Sequence, residues 1–196
     1  MRGHSTTPGV RRWSWTKVVR KGVFVRILRH LLAVVLLPGV VTIVVPAEIV
    51  RRTGTLNFAW GLTPPLGWLP WLLGCVLIGF GLLLMYRTIA LFASFGEGTL
   101  APWDPPRRLV VRGVYRRVRN PMISGVLFVL LGAAFLLGSP PVLVWFLIVF
   151  AVNAVYIPLI EERSLSERFG EEYLDYKRNV PRWIPRLRPW TPGGRS

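Results

Sequence analysis

Three kinds of side chain are scarce in this 196-residue sequence, and each shortage excludes a class of site. Cys75 is the single cysteine, so no disulfide can form within the chain and no cysteine-based metal site is possible. Two histidines make no ligand cluster, and we therefore expect no metal. Nine acidic residues stand against 25 basic ones, which leaves a formal net charge of +16.

Charge is also absent from long stretches of the chain. Pro121 to Ile160 is a run of forty residues without a charged side chain, and shorter runs cover residues 31–47 and 53–86. A bilayer core about 30 Å thick needs roughly 20 residues of helix, so the long run suffices for two crossings. Gly138-Ser-Pro-Pro141 supplies the turn between them. We predict an all-α integral membrane helical bundle of four transmembrane helices, at residues 28–48, 66–86, 121–138 and 141–160.

The basic residues alternate between loops. Residues 1–30 carry eight, the loop after the first span two, residues 96–121 six, the hairpin turn none and the tail after Ile160 eight. The positive-inside rule then places both termini and the 96–121 loop in the cytoplasm. This distribution argues against a nucleic-acid partner and for contacts with anionic membrane lipids. Twenty-two arginines against three lysines are typical of a GC-rich bacterial genome, so we expect a bacterial cytoplasmic membrane.

These patterns divide the chain into four segments. A cleaved signal peptide is the competing interpretation of residues 1–47, but the long basic region and a poor cleavage site favour an uncleaved first span. The predicted segments are a basic cytoplasmic segment (1–27), two spans with an extracytoplasmic loop (28–95), a core of cytoplasmic loop, C-terminal helical hairpin and amphipathic helix (96–185), and a basic tail (186–196).

The segment after Ile160 has the pattern of an amphipathic cytoplasmic helix. Leu165, Phe169, Tyr173 and Tyr176 fall on one helical face. Such a helix either lies on the membrane or folds back to cap the cytoplasmic surface. A glycine in mid-helix costs about 1 kcal/mol relative to alanine, which we interpret as a sign of close packing at Gly170.

Two acidic residues follow the uncharged run directly. At the C-terminal end of a span, Glu161 and Glu162 would face the negative end of the helix dipole and would need a compensating partner. The alternative is that Pro158 kinks the span, so that the pair opens the next helix, where acidic residues are favoured.

A basic segment precedes the same run. Arg116, Arg117 and Arg119 either extend to lipid phosphates or line a site. Asn120-Pro121 favours a site, because a proline that begins a helix leaves the next amides exposed. Amides at a helix N-terminus are a natural seat for a carboxylate.

Three further positions complete the candidate set. Gly125, one turn into the hairpin, leaves room for a ligand beside the helix. Gly96 and Gly98 surround Glu97, although two glycines in three residues more often mark a helix terminus than a binding loop. Asn153, inside the fourth predicted span, either faces a cavity or bonds a neighbouring helix.

Four stretches follow one another along the chain: Gly113-Val-Tyr-Arg-Arg-Val-Arg-Asn-Pro-Met-Ile-Ser-Gly125, the uncharged hairpin, Glu161-Glu-Arg163 and Val180-Pro-Arg-Trp-Ile-Pro185. Their ordered combination resembles the signature of the isoprenylcysteine carboxyl methyltransferase and phospholipid methyltransferase superfamily. The resemblance covers residues 96–185, and it departs from the pattern at Val114 and Ile123. It implies S-adenosylmethionine as methyl donor, bound at the cytoplasmic ends of the last two spans. The implied acceptor is a lipid-soluble substrate, lipidic or lipid-linked, that presents a carboxylate or an amine.

The resemblance also implies a set of site residues. The family's glutamate that holds the amino group of the donor falls on Glu161 and Glu162, with Glu162 preferred. A carboxylate acceptor would need only orientation by an arginine such as Arg163 or Arg182. The other implied cofactor-binding residues are Gly96, Gly98, Tyr115, Arg119, Asn120, Pro121, Met122 and Gly125.

Two functions compete with methyl transfer. One is a sterol-type membrane reductase that uses NADPH, since such proteins share an Arg-x-Pro element and a tyrosine-bearing tail. The other is a non-catalytic membrane adaptor on the same scaffold, which the departures at Val114 and Ile123 keep open. Asn120-Pro-Met122 is closer to the phospholipid branch and the tail to the isoprenylcysteine branch, so the branch does not assign the acceptor.

Overall fold

The computed structural model describes residues 36–58, 60–95 and 109–192, and these residues form helices and no strand. The predicted all-α class is confirmed for this part of the chain. A π-helical turn at Val40–Val44 leads into the first helix, and a short 3₁₀ turn at Gly113–Arg116 precedes the third. The helices are α1 (Val45–Thr53), α2 (Trp68–Phe95), α3 (Pro121–Leu137), α4 (Pro140–Tyr156) and α5 (Glu162–Asn179).

Two helical stretches are long and apolar enough to cross a membrane. They are Trp68–Leu91 and the continuous stretch Pro140–Asn179, which contains α4 and α5. The helix α3 is apolar but shorter. The first predicted span, 28–48, lies partly outside the described residues, so the count of four spans stays a prediction.

Two pairs of glycines bring α2 and α3 into backbone contact. A Cβ atom on Gly74 would lie 2.8 Å from the carbonyl oxygen of Gly132, and one on Gly81 would lie 2.6 Å from that of Gly125. The two glycines of each helix are two turns apart and share a face. Since lipid provides no hydrophobic driving force between helices, small residues at a seam allow the close packing that holds them together.

The turn between α3 and α4 lies where the sequence predicts it. Gly138 has a left-handed φ of 58° and ends α3. A Cβ atom there would lie 1.5 Å from the carbonyl oxygen of Asn57, and the amide of Asn57 donates to Leu137 O at 3.0 Å. The loop after α1 therefore packs directly on the hairpin turn, which only a glycine permits.

The helix α4 passes into α5 through a π-helical turn that contains Pro158. The turn covers Ile157–Glu161, and Glu162 is the first residue of α5. Because the helical stretch Pro140–Asn179 continues through this turn, the acidic pair lies within a helix and at neither of the free helix ends that the two interpretations assume.

A kink divides α5 at Gly170. This residue has φ 52° and ψ −131°, and nothing lies within 4 Å of where its Cβ atom would be. The inference of close packing at Gly170 is wrong. The kink needs a backbone conformation that residues with a Cβ atom rarely adopt, and that is why glycine stands there.

The second half of α5 packs against the loop that precedes α3. Tyr173, Tyr176 and Val180 form a buried cluster, and the Tyr176 hydroxyl donates to Tyr115 O at 2.7 Å. The helix thus folds back onto the start of the hairpin. The residues packed around the cluster are Leu109, Val111, Leu165, Phe169 and Trp190.

Two alanine substitutions are expected to destabilise the fold for different reasons. Gly81→Ala forces α2 and α3 apart, and overpacking of this kind typically costs about 1–3 kcal/mol. Gly170→Ala places a side chain in a conformation that costs of order 1–3 kcal/mol. We expect both variants to lower the free energy of unfolding, measured by denaturant titration in mixed micelles.

Gly79→Ala is the matched control. Gly79 lies on α2 two residues from Gly81, has open space around its Cβ position and shows no positive φ. Since alanine favours a helix over glycine by about 1 kcal/mol, this variant should be neutral or more stable. Equal losses of stability at positions 79 and 81 would contradict the glycine seam.

Candidate functional site

Glu162 is the centre of a buried ion cluster. The residue is 2% exposed. Its Oε1 accepts hydrogen bonds from Arg119 Nη1 at 2.8 Å and from Arg182 Nε at 2.6 Å. Lys177 Nζ lies 3.0 Å from Oε2 as an ion pair. One carboxylate is thus surrounded by three cations.

The kink at Gly170 makes the Lys177 contact possible. Fifteen residues of straight helix would separate Glu162 from Lys177 by about 22 Å, which two side chains cannot bridge. The kink redirects the second half of α5, so that Lys177 returns to the residue that opens the same helix.

Main-chain hydrogen bonds bring Arg182 to the same place. The amide of Arg119 donates to Pro181 O at 2.9 Å, and the amide of Asn120 donates to Arg182 O at 3.3 Å. The chain after α5 therefore lies along the segment that precedes α3. Arg119 and Arg182 reach the carboxylate from neighbouring backbones.

The two adjacent carboxyl groups have pKa values shifted in opposite directions. Burial would raise the pKa of Glu162, but hydrogen bonds from Arg182 and Lys177 and the charge of Arg119 outweigh it and hold that pKa below its ordinary value. Burial, followed by the charge of Glu162, raises the pKa of Glu161, and Arg119 only partly offsets this. Glu161 is half-buried and takes part in none of the ion pairs among the described residues.

Three tyrosines beside the cluster are held neutral. Burial, with the nearby charge of Glu162, raises the pKa of Tyr173 to about 12. Burial likewise raises the pKa of Tyr115 and of Tyr176. At neutral pH these phenols are hydrogen-bond donors and not bases.

Two buried polar atoms at the start of α3 have no hydrogen-bond partner among the residues that the structure describes. They are Arg119 Nε and Ser124 Oγ, and Ser124 is 1% exposed. Buried polar groups in proteins nearly always have a hydrogen-bond partner, so this end of the hairpin fits a polar ligand. Ser124 is not among the residues that the sequence predicts for the site, although a hydroxyl one turn after Pro121, on the helix that the motif begins, is a usable signal.

Most of the predicted site residues come together at this end of the hairpin. Arg119, Glu162 and Arg182 are in contact, Asn120 and Pro121 form the junction with α3, and Met122 is half-buried in its first turn. Tyr115 lies beside them through the bond from Tyr176 to its carbonyl oxygen.

The remaining predicted residues lie elsewhere. The side chain of Arg163 is 78% exposed and pairs with Glu167, so it lies away from the cluster. The space beside Gly125 is filled by Met85 and the Gly81 backbone of α2, and it is not left for a ligand. Asn153 donates to Val149 O of its own helix at 2.8 Å and, among the described residues, bonds no neighbouring helix. Gly96 and Gly98 lie outside the described residues.

Comparison with known proteins identifies the family of this chain. A profile of the phospholipid methyltransferase family matches residues 69–172, which contain α2, α3, α4 and Glu162. The chain therefore belongs to this family. The apolar helices agree with the membrane location that the sequence predicts.

Individual relatives carry the name of one branch. The chain is 30% identical over 144 residues to protein-S-isoprenylcysteine O-methyltransferase of Rattus norvegicus, which covers 66% of this chain and 45% of the relative. It is 34% identical over 117 residues to that of Saccharomyces cerevisiae, covering 58% and 48%. It is 35% identical over 79 residues to form B of Arabidopsis thaliana, covering 40% of each. The chain thus spans about half the length of these relatives or less.

The opposite pKa shifts predict opposite effects on stability. Because the pKa of Glu162 is lower in the folded state, its contribution is present above its unfolded pKa and is lost as pH falls through the folded value. In Glu162→Gln the side chain cannot gain a proton, so the loss of stability as pH falls should be smaller than in the unmodified protein. The substitution should also cost about 3–5 kcal/mol at neutral pH, because the buried guanidinium of Arg119 loses its partner.

Glu161→Gln is the matched variant. The pKa of Glu161 is raised, so its contribution is present at low pH and lost as pH rises through the folded value. Removing its charge should leave stability at neutral pH equal or higher. Unfolding midpoints of both variants, measured in detergent across pH, test these predictions. Equal losses of stability in Glu161→Gln and Glu162→Gln would contradict the opposite pKa shifts.

Proposed function

We propose that this chain is an S-adenosylmethionine-dependent methyltransferase that acts on a lipidic or lipid-linked acceptor at the cytoplasmic face of the membrane. The observation that carries the proposal is the cluster of Arg119, Lys177 and Arg182 around one buried carboxylate, next to the carboxyl group of Glu161, which has no ion pair within the described ranges. Membership of the phospholipid methyltransferase family and relatives named isoprenylcysteine O-methyltransferases support it.

The cluster fits the amino-acid end of the donor, which carries one carboxylate and one ammonium group. Three cations around Glu162 leave an excess of positive charge that suits a carboxylate. Arg119 Nε is buried and unbonded, and we assign the donor carboxylate to it. A charge-assisted hydrogen bond of this kind is among the stronger ones in proteins.

Glu161, and not Glu162, is the residue we assign to the donor ammonium. The family resemblance favours Glu162 for this role. A fourth cation beside Glu162 would, however, be repelled by the three cations that already contact it. Glu161 is half-buried, adjacent and without an ion pair among the described residues. A cation next to it would also relieve the cost of burying its negative charge. Glu162 then acts as the positioning residue that orders Arg119.

Bound S-adenosylmethionine would supply an electrophilic methyl group: the acceptor would form a bond to that carbon from the side opposite the sulfur, and the neutral thioether would leave as the carbon–sulfur bond breaks. The work of the protein is then to position the two partners and to exclude water. The buried tyrosine cluster packs beside the ion cluster, and the chain after α5 pairs with the segment that carries Arg119. The neutral tyrosines add no competing nucleophile.

Arg182 is the residue we assign to an acceptor carboxylate. It binds Glu162 through Nε, and its two Nη atoms make no hydrogen bond with the described part of the chain. The residue is only partly buried, so the outer edge of its guanidinium is accessible. Arg163 is paired on the surface and is not assigned this role.

Donor binding to the purified protein tests the assignment. We expect Glu161→Gln to weaken S-adenosylmethionine binding at least tenfold without loss of stability, because one charge-assisted contact contributes about 1.5–3 kcal/mol. Glu162→Gln should weaken binding and also lower stability, since it releases Arg119. Isothermal titration calorimetry in detergent, paired with unfolding curves, separates these effects.

The matched control is Glu167→Gln, which changes an exposed carboxylate on the same helix. It should bind the donor like the unmodified protein. Binding of NADPH in place of the donor would support the reductase instead, and binding of neither would support the adaptor. Unchanged affinity in Glu161→Gln, with loss confined to a stable Glu162 variant, would reverse the roles of the two carboxyl groups.

The acceptor chemistry has its own test. Labelled methyl transferred from the donor into a lipid extract should be found in the lipid phase and should be lost in Arg119→Gln. If the acceptor is a carboxylate, alkali releases the label as methanol, because a methyl ester hydrolyses. A methylated amine keeps its label under the same treatment. We expect alkali-labile label, because Arg182 offers a cation to the acceptor, and stable label would contradict that role.

A further inference from the structure

The chain after α5 forms a rigid segment at the edge of the hairpin. This tail segment comprises residues 181–190. Its backbone accepts from the amides of Arg119 and Asn120, and its own amides at Arg186 and Trp190 donate to Arg117 O at 2.9 Å and Arg116 O at 2.8 Å. The side chains of Arg116 and Arg117 donate to its carbonyl oxygens at Trp190 and Leu187.

Despite this fixed backbone, two apolar side chains of the tail segment point away from the protein. Leu187 is 92% exposed and Ile184 is 71% exposed. Elsewhere in the structure, exposed apolar side chains of this size crowd the outer faces of α2 and α4, which are the faces expected to meet lipid. Large apolar side chains exposed together mark an interaction surface.

The tail segment begins at the depth of the apolar helices. The ring of Trp183 contacts the ring of Phe150 on α4, with centroids 5.9 Å apart. Phe150 belongs to the forty-residue uncharged run. The tail therefore does not rise straight into the cytoplasm but returns along the outside of α4.

The charge of this region suits an anionic surface. After Asp175 the sequence contains no acidic residue and six basic ones. Arg186 and Arg188 flank Leu187 directly, and Arg188 is exposed. Arginines beside inserted apolar residues bind lipid phosphates, and each basic residue near an anionic membrane contributes about 1 kcal/mol.

We infer that the tail segment is an anchor in the cytoplasmic leaflet, with Ile184 and Leu187 inserted among acyl chains and Arg188 bound to anionic headgroups. The partner is the surface of an anionic bilayer. The anchor holds the backbone that carries Arg182 and so fixes the cation that contacts Glu162. Insertion itself does not depend on the proposed methyl transfer.

A depth-sensitive label tests the anchor. Leu187→Cys in a Cys75→Ser background is labelled with an environment-sensitive nitrobenzoxadiazole dye. The protein is reconstituted into vesicles of phosphatidylcholine alone and of phosphatidylcholine with an equal amount of phosphatidylglycerol. We expect blue-shifted emission that acyl-chain spin labels quench, with stronger quenching in the anionic vesicles. The same label at Glu172→Cys, an exposed position on α5, should report water in both.

Arg188→Gln and Arg178→Gln separate the headgroup contact from general charge. Both arginines are exposed and have equal charge, but Arg178 pairs with Glu171 on α5. In anionic vesicles, Arg188→Gln should lower the ratio of lipid-inserted to water-exposed dye at position 187 about fivefold. Arg178→Gln should leave this ratio unchanged.

Three results would each overturn the inference. Water-like emission at position 187 in both vesicles would show that the tail segment stays in solvent. Blue-shifted emission that lipid spin labels do not quench would show that protein, such as a second copy of the chain, covers Leu187. Insertion that is equal in neutral and anionic vesicles would remove the anionic headgroup as the partner.

Discussion

The arrangement of the polar end of this protein depends on one buried carboxylate, that of Glu162. A carboxylate removed from water costs several kcal/mol unless cations and hydrogen bonds compensate for it. For Glu162 the compensation comes from Arg119 before α3, Lys177 beyond the kink in α5 and Arg182 in the returning chain. Three separate segments must therefore converge on one point. The kink at Gly170 and the backbone pairing around Asn120 are the means by which they do so.

The apolar half follows a different rule. In a membrane, an apolar side chain is equally well buried against lipid or against another helix, so its burial does not select a partner helix. Close contact between helix backbones does select one. Gly74 and Gly81 face Gly132 and Gly125, and they hold α2 to α3 over two helical turns. Because α3 is fixed in this way, its first residue, Pro121, is fixed as well. The ion cluster is then assembled at the end of a rigid frame.

The site combines an excess of positive charge with one poorly solvated carboxyl group. The same contacts that lower the pKa of Glu162 engage its oxygens, while the pKa of its neighbour is raised. Two consecutive glutamates thus differ in environment, because the carboxylate of Glu162 contacts three cations and that of Glu161 does not. This asymmetry leads us to assign the donor ammonium to Glu161. It also leaves Glu162 as the residue on which the order of Arg119 and Arg182 depends.

The sequence by itself determined the helical class and the hairpin turn at Gly138, and it named Arg119, Arg182 and the acidic pair as candidate site residues. These follow from local signals: uncharged runs, a glycine before two prolines, and a motif with defined spacing. Only the tertiary structure decided that Lys177 reaches Glu162, that Gly125 serves helix packing and that Arg163 lies on the surface. It also decided that Ser124 is buried with no hydrogen-bond partner in the described part of the chain. Each of these depends on where separate segments meet in space. The angle of one kink and the close approach of two helices decide that, and no local pattern of residues encodes either.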